Sequence, residues 1–263
     1  MKIFICADME GISGIGNIES VMVDHPEYQN GRKRLTEDVN ACAEGCFDAG
    51  AKTVTVMDAH HAGSNLLIDL VHPKVNIAQG KGIKGRMHDI EKYDALILIG
   101  YHAMAGTSAA FLDHTMSLDA WQNCWLNGKR VGEFGIDAAI AADAGVPTIM
   151  VSGDDKICLE ASKAIKGIVT ATVKHSSGKY CTELLSLTKA HQIIREKATE
   201  ACRSIKKIKP YPVKKDVRLR VEVTQKTEIG SVPANFECRK IIDNRTVEVT
   251  ASTTREALYR LLV

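Results

Sequence analysis

Two carboxylates, Asp8 and Glu10, close the first apolar run, Ile3 to Ala7, and a glycine-rich stretch from Gly11 to Gly16 follows them directly. Three later segments repeat this placement of polar, metal-competent side chains. Val54 to Met57 leads into Asp58-Ala59-His60, Ala95 to Gly100 leads into Tyr101-His102, and Glu133 follows Gly132 at the expected start of a helix. Carboxylate oxygens and imidazole nitrogens suit a divalent ion, or a pair of ions, that activates water and polarises a carbonyl. On an extended backbone, side chains two residues apart leave the same face. One ion can therefore draw on both Asp8 and Glu10, or Asp8 can bridge two ions. Each residue alone also has a plainer reading: Asp8 as a turn cap, Glu10 as a surface acid, His60 and His102 as loop residues, Glu133 as a charge that favours a helix N-terminus. The joint placement carries the metal-site reading, because all five fall where one crevice would collect them.

His114, in Leu112-Asp113-His114-Thr115-Met116, has the reference pKa of a general acid or base and also suits a ligand or an oxyanion stabiliser. Asp154 and Asp155, after Ser152-Gly153, read first as caps of the helix that follows, and otherwise as groups that orient a ligand histidine or meet a substrate amine. His25, His72, His88, His175 and His191 stand in no acidic or histidine context at metal spacing and read as surface or loop residues. Gly11-Ile12-Ser13-Gly14 is a poor dinucleotide fingerprint, since two carboxylates before it would repel a pyrophosphate. The chain contains neither a Gly-x-Ser-x-Gly elbow nor a phosphate-binding Gly-Lys-Ser/Thr loop.

The elements that must position these residues read as α/β: a mostly parallel sheet flanked by helices, with a smaller C-terminal α+β unit. Strands are expected at 2–7, 53–58, 74–78, 94–100 and 147–152, short and rich in Val and Ile, as in a parallel sheet covered on both faces. In such a sheet, ligands bind outside the carboxyl ends of the strands. Leu35, Val39, Cys42, Ala43, Cys46 and Phe47 recur at helical spacing and predict a helix over 31–50, stopped by Gly50. A hairpin is expected from 118–126 and 129–132 around Asn127-Gly128. An alanine-rich helix follows over 133–144. Beyond about residue 165 the pattern changes: a strand at 168–174, a helix at 188–204, strictly alternating strands at 217–223 and 246–251, and a closing helix at 255–262. This divides the chain into a metal-binding catalytic domain, 1–165, and a smaller α+β domain, 166–263.

Composition bounds the rest. The chain has 263 residues, 45% hydrophobic and 25% charged, with a formal net charge of +2. Nothing in that balance draws it to nucleic acid or to a membrane surface, and no apolar run is long enough to span a bilayer. The basic run from Lys206 to Arg220 reads as a solvated linker and strand edge. Eight dispersed cysteines without a Cys-x-x-Cys favour a reducing cytoplasm. Cys42 and Cys46, one helical turn apart, read as a buried helix face.

Taken together, Ala7-Asp8-Met9-Glu10-Gly11-Ile12-Ser13-Gly14, Asp58-Ala59-His60, Gly100-Tyr101-His102-Ala103, Asp113-His114-Thr115-Met116, Gly132-Glu133-Phe134-Gly135 and Val151-Ser152-Gly153-Asp154-Asp155 resemble the motifs of the D-aminopeptidase DppA family, metallopeptidase family M55, in order and spacing. The resemblance covers nearly the whole chain and is tightest over 7–155. It implies a binuclear zinc aminopeptidase that removes the N-terminal residue of short peptides, with D-amino acids in the best-known member. It further implies ligands at Asp8 (bridging), Glu10, His60, His102 and Glu133, a catalytic histidine at His114, and a ring-like homo-oligomer, a decamer, with active sites facing an inner chamber. The substrate it implies is a short peptide or an amino-acid amide. His61 and the loop at 104–112 depart from the family pattern, and both adjoin the expected substrate pocket. The alternatives on the same scaffold are another metal-dependent amidohydrolase or a phosphoesterase. A non-enzymatic module with a structural metal fits less well, because closed structural zinc sites favour four Cys or His ligands.

Overall fold

The computed structural model describes residues 1–80, 85–224 and 238–262. The first seven-stranded sheet contains β1 (Lys2–Ala7), β2 (Thr53–Asp58), β3 (Val75–Ala78), β4 (Ala95–Tyr101), β7 (Thr148–Asp154), β8 (Val169–Gly178) and β9 (Cys181–Leu184). Their order is β3-β2-β1-β4-β7-β8-β9, and every pairing is parallel except that of β8 with β9. β1 lies at the point where strand order reverses: β2 and β3 build outward on one side of it, β4 and β7 on the other. A crevice opens at the carboxyl edge of such a switch point. β4 and β7 are buried at every residue, as a sheet covered on both faces requires.

The helices supply those covers. α1 (Tyr28–Asp48) packs on β1, β2 and β4 and lies along α4 (Leu187–Ser204). α2 (Glu133–Asp143) packs on β4 and β7 and meets α3 (Asp155–Ala164). α1 buries Leu35, Val39, Cys42, Ala43 and Cys46, the periodic face read from the sequence, and Gly50 at φ +86° ends it. Among the described residues, no helix is long and apolar enough to cross a membrane.

The second sheet is antiparallel, in the order β11-β12-β10-β5-β6: β5 (Trp121–Leu126), β6 (Lys129–Arg130), β10 (Val217–Val223), β11 (Arg239–Asp243) and β12 (Thr246–Ala251). The β5–β6 hairpin turns through Asn127 (φ +50°) and Gly128 (φ +84°), both left-handed as a tight hairpin demands. Residues 118–120, expected in that strand, form a turn instead. β10 buries alternate residues as its sequence pattern predicts, and α5 (Thr254–Leu262) packs on β10 and β12.

The division expected at residue 165 differs from how the strands are shared between sheets. β8, β9 and α4 complete the first sheet and its helical cover, whereas β5 and β6, from the first half of the chain, join β10 in the second sheet. The physical reason is pairing: parallel Met150–Val169 and antiparallel Leu126–Leu219 partners satisfy backbone groups that a cut at residue 165 would strand.

Candidate metal centre

The chain leaves β1 at Ala7, and Asp8 still pairs its N–H with Ile99 O of β4. It then turns, with Ile12 N–H donating to Met9 O, so Asp8 and Glu10 converge through a turn rather than along an extended strand. Two glycines make the approach possible. Gly11 donates to Gly100 O, and a Cβ on Gly11 would run into the backbone oxygen of Tyr101. Gly100 adopts φ +72°, and a Cβ there would strike Asp8 O. Ser13 donates from both N and Oγ to Asp38 of α1, anchoring the far end of the turn.

His60 arrives after β2, where Asp58 accepts its backbone N–H and that of Asn65. His102 arrives after β4, and His114 comes from the loop that connects β4 to β5. Glu133 is the first residue of α2. The structure brings all six sequence-predicted residues into two adjoining buried groups: Asp8, Glu10 and His60 in one, His102, His114 and Glu133 in the other.

Asp8 joins the two groups. Its Oδ1 lies 3.3 Å from His60 Nδ1, and its Oδ2 lies 3.5 Å from His102 Nε2. His60 Nδ1 also faces Glu10 Oε2 at 3.2 Å, and His102 Nε2 faces Glu133 Oε1 at 3.4 Å. His114 Nε2 is 3.6 Å from the same Glu133 oxygen.

The other ring nitrogens decide the tautomers. His60 Nε2 lies 3.0 Å from Val21 O, His102 Nδ1 3.1 Å from Ala103 O, and His114 Nδ1 2.8 Å from Leu112 O. A carbonyl only accepts, so each of these nitrogens carries the hydrogen. In the neutral rings, the lone pairs of His60 and His102 then point at pairs of carboxylate oxygens. Lone pair against anion is repulsive unless a proton or a metal cation lies between them. Backbone anchoring of the far nitrogen is also how metal-ligating histidines are oriented. Among the described residues, the buried Glu10 Oε2 and His102 Nε2 find no hydrogen-bond partner. The donor set and these two orphaned atoms fit divalent ions.

The charges agree. Burial and the Glu10 charge push the Asp8 carboxyl up, but His102 and His60 outweigh them and hold it below the usual range. Glu10 and Glu133 are likewise lowered against their burial, chiefly by His60 and by His102 respectively. Burial pushes His60 and His102 down, and the facing carboxylates raise both well above the ordinary imidazole value.

Several residues that frame the site escaped the sequence reading. Arg86 pairs with buried Asp137 through two hydrogen bonds of 2.7 and 2.8 Å, and the Nη2 that makes the second lies 3.8 Å from Glu133 Oε2. Tyr101 also donates to Asp137. Glu160 of α3 accepts Met104 N–H at 2.9 Å, two residues beyond His102. Lys174 of β8 is buried against the turn that carries Glu10. Asp154 caps α3, accepting from Lys156 N and Ile157 N, which was the first of its sequence readings. His191, read as a surface or loop residue, lies 3.2 Å from buried Asp38. It is an α4 residue, and the α1–α4 packing that creates the contact is not local in sequence.

Comparison with known proteins gives one answer. A profile of the D-aminopeptidase family, peptidase family M55, matches residues 1–263. A D-aminopeptidase from Bacillus subtilis (strain 168) is 32% identical over 212 residues, which is 80% of this chain and 77% of that protein. The solved structure of the Zn-dependent D-aminopeptidase DppA from Bacillus subtilis, described as a self-compartmentalizing protease, superposes with a TM-score of 0.90 at 28% identity, covering 100% of this chain and 96% of that one.

Proposed function

The chain belongs to the D-aminopeptidase family M55 and is a metal-dependent hydrolase of the aminopeptidase type, and from that membership we propose that it holds two zinc ions and releases the N-terminal residue, preferentially a D-residue, from short peptides or amino-acid amides. The observation that carries the two-ion reading is the division of Asp8, one carboxylate oxygen toward His60 and the other toward His102. Asp8 Oδ1, Glu10 and His60 would hold one ion, and Asp8 Oδ2, His102 and Glu133 the other. When bound, such a pair supplies water activation and carbonyl polarisation near neutral pH.

The chain's own residues do the remaining work. His60 and His102 keep their ligand nitrogens directed inward because Val21 O and Ala103 O hold the opposite ring edges. His114 turns its Nε2 toward the centre because Leu112 O accepts the Nδ1 hydrogen, so in the neutral ring Nε2 carries the lone pair. It is therefore set to accept a proton at Nε2 and return it to the leaving amine. The same Nε2 is within ligand reach of Glu133, so the geometry also favours a second reading in which His114 ligates. Zinc content in a His114 variant separates the two.

The DppA relative is described as self-compartmentalizing, and we extend a ring-shaped homo-oligomer, with ten subunits as the family pattern implies, to this chain. Eight free cysteines support a reducing, cytoplasmic setting. The test of substrate class is a panel of matched D- and L-aminoacyl dipeptides and amides, assayed after chelation and after zinc return. Zinc-restored release of D-residues is expected. Hydrolysis of phosphoesters alone, or of no aminoacyl compound with two ions bound, would contradict the assignment.

A further inference from the structure

Lys174 is fully buried, yet among the described residues no carboxylate lies within ion-pair distance of its ammonium. Its Nζ donates instead to two backbone carbonyls of a single turn, Glu10 O at 2.8 Å and Ile15 O at 2.7 Å. The same Nζ stands 4.9 Å from the ring centroid of Phe111, a residue of the loop that carries His114. We propose that Lys174 is a positioning residue for the metal centre: it clamps the Glu10–Ile15 turn at both ends and so fixes the Glu10 carboxylate against Asp8 and His60. The proposal rests on the reading of Asp8, Glu10 and His60 as ligands.

Burying an ammonium among carbonyls and a ring is costly, and an apolar side chain of similar length would fill the same space without that cost. What the ammonium adds over an apolar chain is directional: two hydrogen bonds to carbonyls five residues apart, one of them Glu10's own. The opposite anchorage of this turn is Ser13 to Asp38, and its start is pinned by Gly11 to Gly100. Without Lys174, the pins at Gly11 and Ser13 remain, but the turn loses its bonds at Glu10 and Ile15 on either side of them. The strand is built to deliver this contact. β8 pairs Thr172 with Gly153 and Lys174 with Asp154, so Val173 is an extra residue that turns Lys174 inward at the carboxyl edge of the sheet.

The test is zinc affinity, read by competition with a chromophoric chelator, in wild type, Lys174→Met and Lys174→Gln. The visible spectrum of the cobalt-loaded proteins serves as a coordination signature. In Lys174→Met one of the two ions is expected to bind about 10–100-fold more weakly, as when other outer residues of metal sites are removed. The second ion keeps its wild-type affinity and the thermal midpoint does not fall. Lys174→Gln, a neutral donor, recovers part of the loss, and if the methionine variant fails to fold it carries the test alone through a smaller loss in the same ion. Wild-type affinity for both ions, and an unchanged cobalt spectrum, in whichever variant folds would overturn the role of Lys174 and leave the metal centre standing. A wild-type protein that binds no ion through Asp8 and Glu10 would overturn both.

Discussion

The imidazoles of His102 and His114 lie face to face, their centroids 3.7 Å apart and their planes within 7° of parallel. His102 points its Nε2 at Asp8 and Glu133, so the stack also aims His114 Nε2 at the same centre. His114→Ala should therefore retain zinc while turnover falls about 100- to 10,000-fold, the range for loss of a positioned acid/base. Zinc content beside kcat checks it. Loss of one ion in this variant would make His114 a ligand.

Arg86 and Asp137 form the charged support behind Glu133, and Asp137 is wholly buried. Removing one partner strands a buried charge. Arg86→Met is expected to lower stability by about 3–5 kcal/mol in urea unfolding, and the double variant with Asp137→Leu should recover much of that. Equal destabilisation in single and double variants would exclude the pair as the cause.

Gly100 sits at φ +72° with Asp8 O where a Cβ would be. Gly100→Ala must move either β4 or the turn that carries Asp8 and Glu10. Weakened zinc binding together with a lowered thermal midpoint is expected, because backbone strain of this kind costs about 1–3 kcal/mol before any clash is counted. A variant with wild-type zinc affinity would mean the turn tolerates the shift.

Much of this was legible in the chain because the signals are local. A Val/Ile run ending in a polar residue marks a strand and its carboxyl edge, and that signal marks Asp8, Glu10, His60 and His102 as edge residues. Other features depend on contacts distant in sequence. The convergence of Asp8 and Glu10 depends on a turn fitted between Gly11 and Gly100, not on strand alternation. A strict period of two would set Lys174 beside Thr170 and Thr172; the extra Val173 changes its face. Arg86 carries no motif of its own and acquires a role only when α2 brings Asp137 and Glu133 to it. The sheet membership of β5 and β8 follows from partners nearly a hundred and about twenty residues away, respectively.

Asp155 gives a prediction in pH. Burial raises its carboxyl, but its bonds to Lys156 and Ser176 outweigh that and hold it below the usual range. A folded value below the unfolded one means the contribution is present above the unfolded value, about 4, and disappears as pH falls through the folded one. Asp155→Asn should thus lower the thermal midpoint at neutral pH, and the gap from wild type should close on acidification. A gap that is constant with pH would exclude this charge as its source.

The most direct test of the two-ion account is a count of tightly held zinc per chain after exhaustive dialysis, in wild type and in Asp8→Ala, by elemental analysis. The geometry predicts two ions in wild type, one on each side of Asp8, and neither retained once the carboxylate that faces both sides is gone. One ion in wild type, or two in Asp8→Ala, would contradict it.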